Sequence, residues 1–120
     1  MLKLLIVDDE VDITGFVKNF FKRRGLEVFS AQGGKQALEL IEQEKPNLVL
    51  LDVNMMDMSG IQVLRTLREN GNDVPVVMVT GIDDEAVINE ANSWGVKAYI
   101  HKPLVLEELE KVVMAELGPK

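Results

Sequence analysis

Three carboxylates stand together at Asp8, Asp9 and Glu10, directly after the apolar run Leu4-Leu5-Ile6-Val7. Adjacent acids repel one another and are costly to desolvate, so their place at the mouth of a buried strand needs a reason. One reason is local: Asp and Glu favour the first turn of a helix, where they accept free amides and meet the positive end of the dipole. The other reason is chemical. Asp52 ends another apolar run, Thr80 ends a further one, and Lys102 follows the last. Clustered carboxylates with no phosphate-cradling glycine loop repel a bare anion and attract a hard dication. Magnesium suits them, because it takes oxygen ligands and is commonly held by one or two carboxylates plus a substrate phosphate. An ammonium and a hydroxyl suit phosphoryl oxygens whose charge must be neutralised during transfer. A carboxylate can also act as nucleophile and form an aspartyl phosphate. The acids would then bind a metal that supports phosphorylation of a third acid.

Those residues meet only if strands carry them to one edge. Apolar runs alternate with amphipathic stretches along the whole chain. Ile13, Phe16, Val17, Phe20 and Phe21 follow helical spacing and predict one buried stripe, with Gly25 placed to end the helix. Strands are expected at Leu26–Ala31, Asn47–Asp52, Val74–Thr80 and Val96–Ile100, besides the N-terminal run. Between them, Ala37, Leu38 and Ile41 line a second helix that stops before Pro46. Ile61, Leu64 and Leu67 line a third, and Val87, Ile88 and Ala91 a fourth that Gly95 ends. Leu106, Leu109, Val112 and Val113 line the last, closed by Gly118 and Pro119. Five strands alternating with five helices imply an α/β fold with an open parallel sheet covered on both faces. The expected strand order is 2-1-3-4-5. Such sheets bind ligands beyond the carboxyl ends of their strands at the switch point in strand order, which places Asp8 and Asp9 beside Asp52, with Thr80 and Lys102 nearby.

The bulk composition narrows the classes. With 120 residues, 47% of them hydrophobic and 28% charged, the chain reads as one globular domain over residues 1–120. It has no cysteine and one histidine, which excludes disulfides and thiolate chemistry and weakens any zinc site. A formal charge of −7 opposes attachment to nucleic acid or anionic membrane. No apolar run is long enough to span a bilayer, and no signal-peptide pattern opens the chain, so a cytoplasmic location and protein or cation partners are expected.

The segments Val7–Glu10 (VDDE), Leu50–Gly60 (LLDVNMMDMSG), Val77–Gly81 (VMVTG) and Tyr99–Pro103 (YIHKP) together resemble the receiver domain of two-component response regulators, over essentially the whole chain. The resemblance implies a flavodoxin-like (βα)5 fold, and the expected strand order is not independent of it. It further implies that Asp52 accepts a phosphoryl group from a histidine kinase's phosphohistidine or from a phosphotransfer protein. Asp9 would be a direct Mg2+ ligand, Asp8 would act mainly through water, and Asp52 and the Asn54 backbone carbonyl would complete the protein ligands. Thr80 and Lys102 would contact the phosphoryl group, Tyr99 would be an aromatic rotamer switch, and the Lys102-Pro103 peptide would be cis. Output would leave through the face formed by the fourth helix, fifth strand and fifth helix, to a protein partner, a second copy or an output domain. Asn54 and Ile82, two residues after Asp52 and Thr80, would set the dephosphorylation rate. One departure is that Met56 stands where the family usually has proline.

Two other function classes fit the acids. A magnesium-dependent phosphohydrolase also forms an aspartyl phosphate, but it usually needs a second acid where this chain has Asn54, and a cap for which there is no spare length. A vestigial receiver acting as a constitutive interaction module is the other, and the intact acidic set argues against it. His101 reads as a surface residue, and Trp94 and the methionines read as packing residues.

Overall fold

A computed structural model of the chain describes residues 1–81 and 84–118. The five expected strands are β1 (Lys3–Val7), β2 (Glu27–Ala31), β3 (Leu48–Asp52), β4 (Val76–Thr80) and β5 (Ala98–His101). The helices are α1 (Val11–Lys22), α2 (Gly34–Glu44), α3 (Gly60–Glu69), α4 (Glu85–Ser93) and α5 (Leu106–Leu117). All strand pairs are parallel and the order is β2-β1-β3-β4-β5. This is the expected flavodoxin-like arrangement.

Successive strand residues face opposite sides of a sheet, so each central strand feeds two cores. Leu5, Val7, Val49, Leu51, Val76 and Met78 pack with Ala37, Ile41, Ile61, Leu64 and Ala91 from α2, α3 and α4. Leu4, Ile6, Leu48, Leu50, Val77 and Val79 pack with Val17, Phe21, Leu109 and Val113 from α1 and α5. Every residue of β3 and β4 is buried, which is why these runs show no polar alternation. The strand ends are thereby held rigidly side by side.

Phe16 departs from expectation. It is 61% exposed, whereas the helical spacing places it in the buried stripe. The buried direction of α1 is set by Thr14, Val17 and Phe21. Phe16 lies about 100° around the helix from Val17 and so turns to solvent. β2 and β3 begin one residue later than the apolar runs suggest, and β4 and β5 begin two residues later. Val96 donates its N–H to the Ala91 carbonyl and so closes the end of α4, and Pro75, ahead of β4, has no N–H to give.

The stops follow local chemistry. Gly25, Gly95 and Gly118 each adopt positive φ just after a helix. Lys45 takes a left-handed conformation immediately before Pro46.

Candidate functional site at the carboxyl edge of the sheet

The carboxyl ends of β1, β3, β4 and β5 deliver the chemistry-bearing residues to one place. Asp8 follows β1 and continues its pairing through an N–H bond to the Ala31 carbonyl at 3.1 Å. Asp52 and Thr80 are the last residues of β3 and β4, and Lys102 follows β5 with its N–H on the Thr80 carbonyl at 2.8 Å. Asp8, Asp52 and Thr80 are buried, Asp9 is half-buried and Glu10 is exposed. The Lys102-Pro103 peptide is cis.

The helix-start reading of the acids is not what the local geometry supports. Glu10 occupies the N-cap of α1 without any side-chain cap bond. The Asp8 carboxylate does accept the Glu10 N–H at 2.9 Å, but its other oxygen faces Lys102. The Lys102 ammonium stands 3.1 Å from Asp8 Oδ2, 3.4 Å from Asp52 Oδ1 and 3.6 Å from Glu10 Oε1. One cation therefore bridges two buried carboxylates.

Asp8, Asp9 and Asp52 each present an oxygen, and these lie within 4.8 Å of one another. The donors are all hard oxygens, with no imidazole or thiolate among them, so the set suits Mg2+ in kind and in spacing. Burial, then the neighbouring Asp8 charge, pushes the Asp52 carboxyl up to about 6, while Lys102 and the Asn54 backbone N–H work in the opposite direction. Burial also works against the Lys102 charge, but the Asp8 and Asp52 carboxylates outweigh it and hold the ammonium above the usual lysine range. The pocket thus carries more negative charge than one lysine compensates, which a dication would relieve.

Two further features position Asp52. Gly60 begins α3 and donates its N–H to the Val53 carbonyl at 2.8 Å. A side chain there would overlap the Asp52 carbonyl oxygen, so the residue must be glycine. Ser59 and Gln62 form a reciprocal capping box at the start of α3. That box is readable from the Ser-x-x-Gln spacing. Asp57 gives no such signal: its carboxylate accepts N–H bonds from Gly34 at 3.0 Å, Lys35 at 3.1 Å and its own neighbour Met58 at 2.9 Å, linking the loop after β3 to the start of α2.

Tyr99 lies on β5 and donates its hydroxyl to the Ile88 carbonyl of α4 at 3.1 Å. Asn54 is exposed beside Asp52, His101 is exposed as expected, and Trp94 caps α4 half-buried. Ile82 lies outside the described residues.

Comparison with known proteins gives the same arrangement a context. The chain is 32% identical over 118 residues to the sporulation initiation phosphotransferase F of Bacillus subtilis (strain 168), covering 98% of this chain and 95% of that protein. It spans only about half the length, or less, of other curated relatives, such as 51% of the transcriptional regulatory protein CrdR of Helicobacter pylori. Among solved structures, a CheY-like response regulator receiver domain protein from Methanospirillum hungatei JF-1 superposes with a TM-score of 0.92 at 30% identity, covering 98% of this chain and 94% of that one. The response regulator TrrA of Thermotoga maritima, solved with Mg2+ and beryllofluoride, superposes with a TM-score of 0.83 at 28% identity, covering 97% of this chain and 99% of that one. The family described as the response regulator receiver domain matches residues 4–114. With its acids, threonine and lysine carried to one edge of a 2-1-3-4-5 sheet, this chain belongs to the response regulator receiver domain family.

Proposed function

We propose that the chain is a signalling switch whose phosphorylatable residue is Asp52. The observation that carries this is the Lys102 ammonium set between the buried Asp8 and Asp52 carboxylates. Asp8, Asp9, Asp52 and the Asn54 backbone carbonyl would hold Mg2+. Its charge would neutralise phosphoryl oxygens as transfer proceeds.

A carboxylate oxygen of Asp52 attacks phosphorus opposite the donor nitrogen of a phosphohistidine. The O–P bond forms as the P–N bond breaks, and the imidazole leaves with the bonding pair and takes a proton from solvent. Lys102, already beside Asp52, moves onto a phosphoryl oxygen, and the Thr80 hydroxyl donates to another. In dephosphorylation, a separate step, water attacks phosphorus, the Asp52 O–P bond breaks with its pair returning to the carboxylate, and inorganic phosphate departs with the water's oxygen. The chain thus catalyses its own phosphorylation and dephosphorylation but processes no metabolite.

The donor would be a sensor histidine kinase or phosphotransfer protein in the cytoplasm. An apolar groove lined by Ile13, Phe16, Val17, Pro103, Leu104 and Leu106 opens beside Lys102 and supports approach from that side. No described helix is long and apolar enough to cross a membrane. Output would leave through the α4-β5-α5 face to a protein partner or a second copy, with no direct contact to nucleic acid. A phosphohydrolase is less well supported, because Asn54 offers no general acid two residues after Asp52.

Incubation with acetyl phosphate and Mg2+ tests the reading. Wild type gains a hydroxylamine-labile phosphoryl group, EDTA prevents it, and Asp52→Asn abolishes it. Lys102→Ala still accepts the group but responds weakly. Equal labelling of wild type and Asp52→Asn contradicts the proposal.

A further inference from the structure

The loop between β3 and α3 carries the Asn54 peptide, whose carbonyl is a proposed Mg2+ ligand and whose N–H works to lower the Asp52 carboxyl. What holds this loop in place is therefore part of how the site is built. Its tip residue Met56 is 94% exposed and anchors nothing. Met55 and Met58 pack against the core, and the Asp57 carboxylate supplies the polar tie.

That tie is unusual in where it ends. The N-cap of α2 is Gly33, which has no side chain to satisfy the free amides of the first turn. Asp57, 23 residues along the chain, accepts the amides of Gly34 and Lys35 instead. Glycine leaves room for this approach: a Cβ at residue 33 would lie 2.9 Å from Asp57 Oδ1, and one at Gly34 would overlap Met58. Two helix amides, one carboxylate and two glycines thus form a single joint between α2 and the phosphorylation loop.

We propose that Asp57 is a positioning residue for phosphoryl transfer: by capping α2 from outside, it fixes the loop that places the Asn54 peptide at Asp52. The inference rests on the proposed role of Asp52 and Mg2+. Three hydrogen bonds from backbone amides hold the Asp57 carboxyl below the usual carboxylate range, in keeping with a fixed, ionised cap.

Asp57 contributes to α2 as well as to the loop, so a second variant separates the two. In Asp57→Ala the space beside Gly33 is vacated, and Gly33→Ser then restores a cap within α2 from an extended residue suited to that position. Mg2+ affinity by calorimetry, amide exchange in metal-free protein and the acetyl phosphate labelling rate are measured for wild type, Asp57→Ala and the double variant. Asp57→Ala should weaken Mg2+ binding by about tenfold, slow labelling and deprotect amides on both sides of the joint. The double variant should regain protection at Lys35 and thermal stability, while the Asn54–Met58 amides, Mg2+ affinity and labelling rate stay impaired. Full recovery of affinity and rate with stability, or no loss in Asp57→Ala, overturns the positioning role while wild type still labels on Asp52. A wild type that neither binds Mg2+ nor labels overturns the proposed function, and the positioning role with it.

Discussion

The Tyr99 hydroxyl is bonded to the Ile88 carbonyl at 3.1 Å, which ties β5 to the middle of a helix that buries only one residue, Ala91. Phosphorylation at the proposed Asp52 site would add charge to which the Thr80 hydroxyl could move, vacating space into which Tyr99 could turn. Turning would break the Ile88 bond and release α4. Amide exchange of the Mg2+–beryllofluoride form should therefore rise in α4 of wild type and change far less in Thr80→Ala. Changes confined to the acidic pocket in wild type would reject this route.

The raised Asp52 carboxyl makes a pH prediction for protein kept in EDTA. Its folded value of about 6 exceeds the ordinary aspartate value of 3.8, so the folded state holds this proton more tightly than the unfolded state. Stability is therefore lost as pH rises from about 4 through about 6, and the loss is complete above that. Asp52→Asn carries no such charge, so above pH 6 it should be the more stable protein, by on the order of 2 kcal/mol. The gap should close near pH 4. Denaturant melts across that range check the slope, and a wild type that gains stability from this group as pH rises would reverse the assignment.

Removing Asp9 relieves repulsion in the acid cluster while deleting an oxygen donor from it. Asp9→Ala should melt at or above the wild-type temperature in EDTA, and should lose most of the upward shift that Mg2+ gives wild type. An undiminished shift would remove Asp9 from the metal site.

Gly60 should tolerate no side chain. Because a Cβ would overlap the Asp52 carbonyl, Gly60→Ala must displace either the start of α3 or the end of β3. A loss of about 3 kcal/mol in chemical denaturation is expected, with slower labelling by acetyl phosphate. A wild-type denaturation curve would show that the backbone relaxes freely there.

Ile82 lies two residues after Thr80, and an apolar side chain cannot orient a hydrolytic water. Slow loss of the phosphoryl group is expected, with Ile82→Glu shortening its lifetime. Equal decay of the two phosphoproteins would exclude this position from rate control.

Much of the fold was legible because the central strands are buried on both faces. Leu48–Asp52 and Val76–Thr80 therefore read as unbroken apolar runs, and the glycines and Pro46 mark where helices end. The meeting of Asp8, Asp52, Thr80 and Lys102 followed from their shared place after strands of a parallel sheet. Phe16 was misjudged because spacing alone does not say how far around a helix burial extends. Asp57 was missed for a different reason. Its partners are amides 22 and 23 residues away, and no local pattern announces a cap that comes from another loop.

Every role assigned at the acidic edge turns on which residue carries the phosphoryl group. Borohydride reduction after treatment with acetyl phosphate and Mg2+ converts an acyl phosphate to an alcohol, and peptide mass mapping then locates it. One modified site is expected, at Asp52, and it should be absent when Mg2+ is removed by EDTA. Modification at Asp8, Asp9 or any other residue, with Asp52 unchanged, would contradict that assignment.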